Sequence, residues 1–105
     1  MNISMPAVND AKLIKAIGDD NRRRLILALL DKPLYISELS KDLKMDRATV
    51  SYNLAVLEDA GILHSDYTIL QKPHSKGKAA HVYSVKLDAL KKALGLLSPI
   101  QRKLG

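Results

Sequence analysis

The apolar residues of this chain change period once, and that change limits the folds open to it. From about residue 9 to Ala60 they recur every three or four positions, as on one side of a helix. Beyond Gly61 they fall among β-branched and aromatic residues interrupted by turn chemistry. Helices must come first and a hairpin after them. The stretch "DRATVSYNLAVLEDAGIL", residues 46–63, shows the helical pattern most clearly. Val50, Leu54 and Leu57 stand at i, i+4 and i+7, with Asp46 placed to cap the N-terminus and Gly61 to stop the C-terminus. The other side carries Ala48, Thr49, Ser51, Tyr52 and Ala55, with no charge. An ordinary solvated helix face would carry Lys and Glu there.

Three helices are expected upstream. One covers about residues 9–18, with Ala11, Ile14 and Ile17 on one side and Gly18 ending it. The next lies in "DDNRRRLILALLDKP", with Asp19 or Asp20 as cap, Leu25, Ile26, Leu29 and Leu30 inward, and Pro33 as the stop. A short third helix in "YISELSKDLKM" places Ile36, Leu39 and Leu43 on one side, with Ser37 as cap. Downstream, "ILHSDYTILQ" and "AAHVYSV" read as two strands joined by "KPHSKGK", a turn around Pro73 and Gly77. The last helix carries Leu87, Leu90, Leu94 and Leu97 at spacings of 3, 4 and 3, and Pro99 should end or kink it. The fold class predicted is mostly α with a small β-hairpin: about five helices plus a two-stranded wing, in one domain over residues 1–105. Only the first eight or so residues and the last several read as loose ends.

Composition narrows the function. Seventeen Lys and Arg against eleven Asp and Glu leave a net charge of +6, which favours a polyanionic partner. Placement says more than the total: from Tyr67 to Leu87 the chain carries Lys72, Lys76, Lys78 and Lys86 and no acidic residue. There is no Cys, which excludes disulfides, thiolate metal sites and cysteine redox chemistry. No Cys nucleophile, glycine-rich phosphate loop or motif-placed carboxylate pair points to an enzyme. No run approaches the ~20 apolar residues of a membrane span, and no leader pattern precedes the first helix, so a cytoplasmic protein is expected. His64, His74 and His81 fit no tetrahedral spacing, so neither a metal nor another cofactor is expected.

A short helix, a tight turn near Lys44–Met45, a capped second helix and a basic-tipped hairpin together make a winged helix-turn-helix. In that arrangement a helix of about residues 46–60 enters the major groove of double-stranded DNA, where small polar side chains let the backbone come close to base edges. Arg47, Ala48, Thr49, Ser51, Tyr52 and Asn53 are the candidate contacts, with Arg47 suited to a phosphate. The wing, about residues 72–81, offers Lys72, His74, Lys76 and Lys78 to the backbone or the minor groove. Arg22 lies beside an apolar stripe, which suits a structural hydrogen bond better than a phosphate site. The uncharged helix face also suits a second reading, a winged-helix protein-interaction module without specific DNA binding. The acid-free lysine wing is not something that reading requires.

Three segments resemble the ArsR/SmtB transcriptional regulators. "DDNRRRLILALL" is similar to that family's second-helix motif through Asp19, Arg22, Arg24 and Leu25. "ISELSKDLKMDRATVSYNLAVLEDAGIL" matches the core signature at Thr49-Val50-Ser51, Leu54, Leu57, Ala60-Gly61 and Ile62-Leu63, with Tyr52-Asn53 where a pair of His often stands. "GKAAHVYSV" resembles the wing ending at Gly77, Lys78, Tyr83 and Val85. The resemblance spans about residues 10–97 and implies a homodimeric regulator, usually a repressor. Its dimer would be built by the first and last helices, near 9–18 and 87–98, through Ile14, Ile17, Leu87, Leu90, Leu94 and Leu97. Family members that sense soft metals place Cys at the start of the third helix, where this chain has "LYISEL". Others place Asp and His on the last helix, where "LDALKKALGLL" offers only Asp88. Neither metal site is present, so any effector is of unknown chemistry.

Overall fold

The computed structural model describes residues 5–70 and 77–105, with side chains from Asp10 onward. Its elements run α1 (Met5–Ile17), α2 (Asp20–Asp31), β1 (Leu34–Tyr35), α3 (Ile36–Leu43), α4 (Arg47–Asp59), β2 (Leu63–Ile69), β3 (Ala79–Val85), α5 (Leu87–Gly95) and α6 (Ser98–Leu104). This is the winged helix-turn-helix order, helices first and hairpin after them. Leu25, Leu39, Val50, Leu54, Leu57 and Ile62 have no exposed surface and form the centre of one core, which α1, α2, α4 and α5 all reach.

Several expectations need correction. The first helix begins at Met5, not near residue 9, and its buried side is Leu13, Ala16 and Ile17. Ala11 and Ile14 face outward. Leu30 is 45% exposed, because the core takes Leu25, Ile26 and Leu29 and a fourth apolar residue lies past the edge of that face. Ser37 does not cap α3; it lies inside the first turn, and Glu38 instead accepts the Tyr35 backbone N–H at 2.9 Å through Oε1. The hairpin belongs to a three-stranded antiparallel sheet of order β1-β3-β2, since Leu34 and Tyr35 pair with Tyr83 and Val82. That short strand ties the root of the wing to the start of α3. Finally, Pro99 opens a helix. α5 ends at Gly95, and Pro99 occupies the first turn of α6, where its missing N–H costs nothing.

Asp19 is the cap of α2, accepting the Arg22 N–H at 3.1 Å. Three successive arginines then reach back to other helices. Arg22 donates through Nε to Ala16 O (2.7 Å) and through Nη2 to Lys15 O (3.2 Å). Arg23 donates to Ile17 O (3.0 Å), and Arg24 to Leu43 O (2.7 Å). The last carbonyls of a helix lack partners within it and carry the negative end of its dipole, so a guanidinium there satisfies both requirements. The start of α2 thereby caps the ends of α1 and α3.

Candidate nucleic-acid interface

The turn between α3 and α4 is closed by its own backbone. Lys44 adopts a left-handed conformation (φ 52°), and the Met45 N–H donates to Ser40 O at 3.1 Å. The Ser40 hydroxyl returns a bond to Met45 O, and Met45 is buried. Asp46 then caps α4, its Oδ1 accepting the Thr49 N–H at 2.8 Å. Hydrogen bonds from the Thr49 side chain first, and its backbone second, hold the Asp46 carboxyl below its ordinary value of 3.8. The chain leaves the helix through Gly61, whose φ of +84° is one that a side chain would strain.

With Val50, Leu54 and Leu57 fully buried, α4 turns Arg47, Ala48, Ser51, Tyr52 and Ala55 to the surface, and Thr49 is half-buried at its edge. Tyr52 is 66% exposed, and neither it nor Ser51 hydrogen-bonds within the chain among the described residues. Asn53 departs from expectation. It is 5% exposed, its Oδ1 accepting from Arg22 Nη1 (2.9 Å) and its Nδ2 donating to Thr49 O (2.9 Å). One residue beyond Tyr52 is a rotation of about 100°, enough to carry the side chain from the surface to the interior. Asn53 is therefore removed from the outward set, and Arg22 is the structural hydrogen bonder its position suggested.

The wing pairs Leu63 with Val85 through to Ile69 with Ala79, and its described end is closed by Leu70 N–H to Lys78 O at 2.8 Å. Gly77 (φ +86°) leads into β3. Lys72, His74 and Lys76 lie outside the described residues, while Lys78 is exposed at the base of the loop. Along the hairpin, the rings of Tyr67 and His81 meet edge-on with centroids 4.2 Å apart, and those of His81 and Tyr83 at 5.9 Å. His81 Nδ1 lies 3.3 Å from the Tyr83 hydroxyl. Burial, with Glu58 and Tyr67 nearby, raises the Tyr83 hydroxyl above the usual tyrosine value of 10.0.

A cleft of about 610 Å³ separates the wing from the starts of α3 and α4. Arg47, Ser37 and Tyr35 line one side, Lys78, Tyr67 and His81 the other, so two cations from distant parts of the chain face one channel. The sequence pattern does not single out Tyr67 or His81 for this cleft. Their cross-strand pairing follows only once the hairpin register is fixed. Asp46 is the cap at the near end of α4, and the acids at its far end are also engaged: Asp59 pairs with Lys12 (3.2 Å), and Glu58 accepts from Ser65 (2.7 Å).

A second, largely apolar surface lies on α1, α2 and α5, with Arg23 at its margin. An open groove of about 510 Å³ is lined by Ile14, Leu27, Leu30, Leu94 and Leu97, with Ile17 and Leu90 in its floor. Ile17 and Leu90 belong to the chain's own core, whereas Ile14, Leu94 and Leu97 are exposed, as is Leu87 at the start of α5. Among the described residues no group of three His, Asp or Glu could hold a metal ion, and no helix is long and apolar enough to cross a membrane.

Comparison with known proteins bears on both surfaces. Residues 19–65 match the family model described as bacterial regulatory protein, arsR family. The chain is 32% identical over 68 residues to the transcriptional activator HlyU of Vibrio cholerae, a match covering 62% of this chain and 63% of that one. It is 35% identical over 57 residues to the transcriptional regulator CmtR of Mycobacterium tuberculosis, covering 54% of this chain and 48% of CmtR. These matches therefore span about half to under two thirds of the relatives' lengths. In structure, a homodimeric winged helix-turn-helix DNA-binding domain from Mycobacterium bovis, a possible ArsR-family regulator, superposes with a TM-score of 0.68 at 14% identity, covering 98% of this chain and 89% of its own.

Proposed function

Starting from the premise that this chain carries the winged helix-turn-helix of the arsR regulatory family, we propose that it is a sequence-specific, homodimeric DNA-binding regulator of transcription that represses by occupying its operator. The observation that carries this reading is the outward face of α4, where the Ser51 and Tyr52 hydroxyls have no partner among the described residues and Arg47 is the charge at the end beside the wing. In this reading Thr49, Ser51 and Tyr52 meet base edges, Ala48 permits close approach, and Arg47 grips a phosphate. Lys72, His74, Lys76 and Lys78 track the backbone or the minor groove beside it. The single domain dimerises through α1 and α5, with Ile14, Leu87, Leu94 and Leu97 against the second copy over a floor of Ile17 and Leu90. That pairing is supported by the exposed groove and by the homodimeric relative of the same fold. Two α4 helices then address half-sites about one helical turn (~34 Å) apart.

The test is recovery of genomic DNA fragments by the purified protein, with sequencing of what is retained. Enrichment of one imperfect palindrome is expected, with affinity falling steeply as salt rises. Failure to bind even random duplex at low salt would remove the DNA reading and favour a protein-interaction module. Transcription from the recovered promoter should rise when the protein is deleted; a fall would make it an activator, as HlyU is named.

A further inference from the structure

We infer that Arg22 is a positioning residue that locks the recognition helix α4 to the dimer helix α1, and thereby sets which spacing of DNA half-sites the protein accepts. This rests on the dimeric DNA-binding reading above and adds a role for a residue that faces away from the duplex.

The side chain joins two elements that otherwise meet through soft contacts. Its planar fork donates to Ala16 O and Lys15 O in the last turn of α1, and its third bond goes to Asn53 Oδ1 in the middle of α4. Its own backbone N–H is held by the Asp19 cap, so the base of the fork is fixed as well. Asn53 admits only one orientation: its oxygen must face the guanidinium, which has no acceptor, and its NH₂ must then face Thr49 O, which has no donor. Asn53 is the buried polar residue of the described core, so rotating α4 against α1 would leave a buried donor or acceptor unmet. Aliphatic contacts tolerate sliding, but a guanidinium spanning three acceptors does not. Among the described residues the other polar link between these helices, Lys12 to Asp59, is exposed at both ends and holds little.

The two ends of this link matter for opposite reasons. On α1, Ile14 borders the apolar groove where a second copy is placed. On α4, the carbonyl that Asn53 grips belongs to Thr49, a proposed base reader. An error of orientation at Arg22 is doubled by the dimer axis and appears as an error in the distance between the two recognition helices. Lysine in its place is a single point donor that cannot hold all three acceptors.

The experiment compares the unaltered protein with Arg22→Lys, Asn53→Leu and Asn53→Asp. Binding is measured to the recovered operator, to the same half-sites with the spacer changed by one and two base pairs, and to random duplex, with dimer state followed by sedimentation. Arg22→Lys and Asn53→Leu should stay dimeric and bind random duplex within about twofold of the unaltered protein. Their preference for the native spacing over its one-base-pair neighbours should fall about tenfold or more. Asn53→Asp keeps an acceptor for Arg22 but puts an oxygen where the NH₂ serves Thr49 O, so its preference should lie between those of the unaltered protein and Asn53→Leu. Uniform weakening on every DNA, or an undiminished preference in both disrupting variants, would overturn the proposal while leaving the DNA reading intact. If the unaltered protein binds no DNA, both fall together.

Discussion

Two faces of this molecule are exposed and poor in charge, and they differ in what they lack. The α4 face carries hydroxyls and small side chains: Ser51 and Tyr52 have no partner among the described residues, and Ala48 and Ala55 leave room around them. The α1–α2–α5 face carries Ile14, Leu27, Leu30, Leu94 and Leu97, with Arg23 the charged group at its margin. Water satisfies the first face well. Water leaves the second at a disadvantage of about 25 cal/mol per Å². A face that water already suits gains from a partner only by specific geometry, whereas one that water does not suit gains from any partner that excludes it. In the function proposed above, selectivity therefore belongs on α4 and assembly on α5.

The most severe way to break this contrast is Leu94→Glu. In a symmetric dimer each substitution acts twice, and two leucines at about 1.5–3 kcal/mol each correspond to a weakening of roughly 10²–10⁴-fold in dimer dissociation. Sedimentation equilibrium checks this, and a monomeric fold with unchanged circular dichroism is expected. An unmoved dimer would place assembly elsewhere. Next in size, Lys76→Ala with Lys78→Ala should weaken binding to all sequences and flatten the slope of log affinity against log salt by about 0.9 for each phosphate no longer neutralised. An unchanged slope would remove the wing from the interface.

Tyr52→Ala and Thr49→Ala sharpen the comparison from the other side. A base contact is worth about 1–3 kcal/mol of discrimination, so the ratio of operator to random-DNA affinity should fall about tenfold while dimerisation is untouched. Equal losses on both DNAs would contradict base readout. The smallest effect concerns the Asp46 cap. Its folded-state carboxyl is held below the unfolded value of 3.8, so its stabilisation is present above that value and disappears as pH falls through the lower folded one. The gap in urea midpoint between the unaltered protein and Asp46→Ala should be constant near neutrality and close on strong acidification.

Helix α4 is legible in the sequence because every signal agrees: a cap at Asp46, a stop at Gly61 and a clean stripe at Val50, Leu54 and Leu57. The outer helices are less so. An apolar residue that meets its own core and one left on the surface look alike in sequence, which is why Ile17 and Leu90 group there with Ile14 and Leu94. Asn53 misleads because a polar residue beside Tyr52 suggests a shared surface, and the guanidinium that buries it comes from 31 residues away. β1 is two residues long, too short for any periodicity to reveal. Pro99 is ambiguous in principle, since proline both ends helices and opens them.

The three arginines at the start of α2 have a consequence for how this region can change. Successive residues on a helix point about 100° apart, and here each direction is occupied: Arg22 faces α1 and α4, Arg23 the last carbonyl of α1, and Arg24 the end of α3. A point substitution removes one of these ties. Inserting a single residue between Arg24 and the buried Leu25 would instead turn all three guanidiniums away from their acceptors at once.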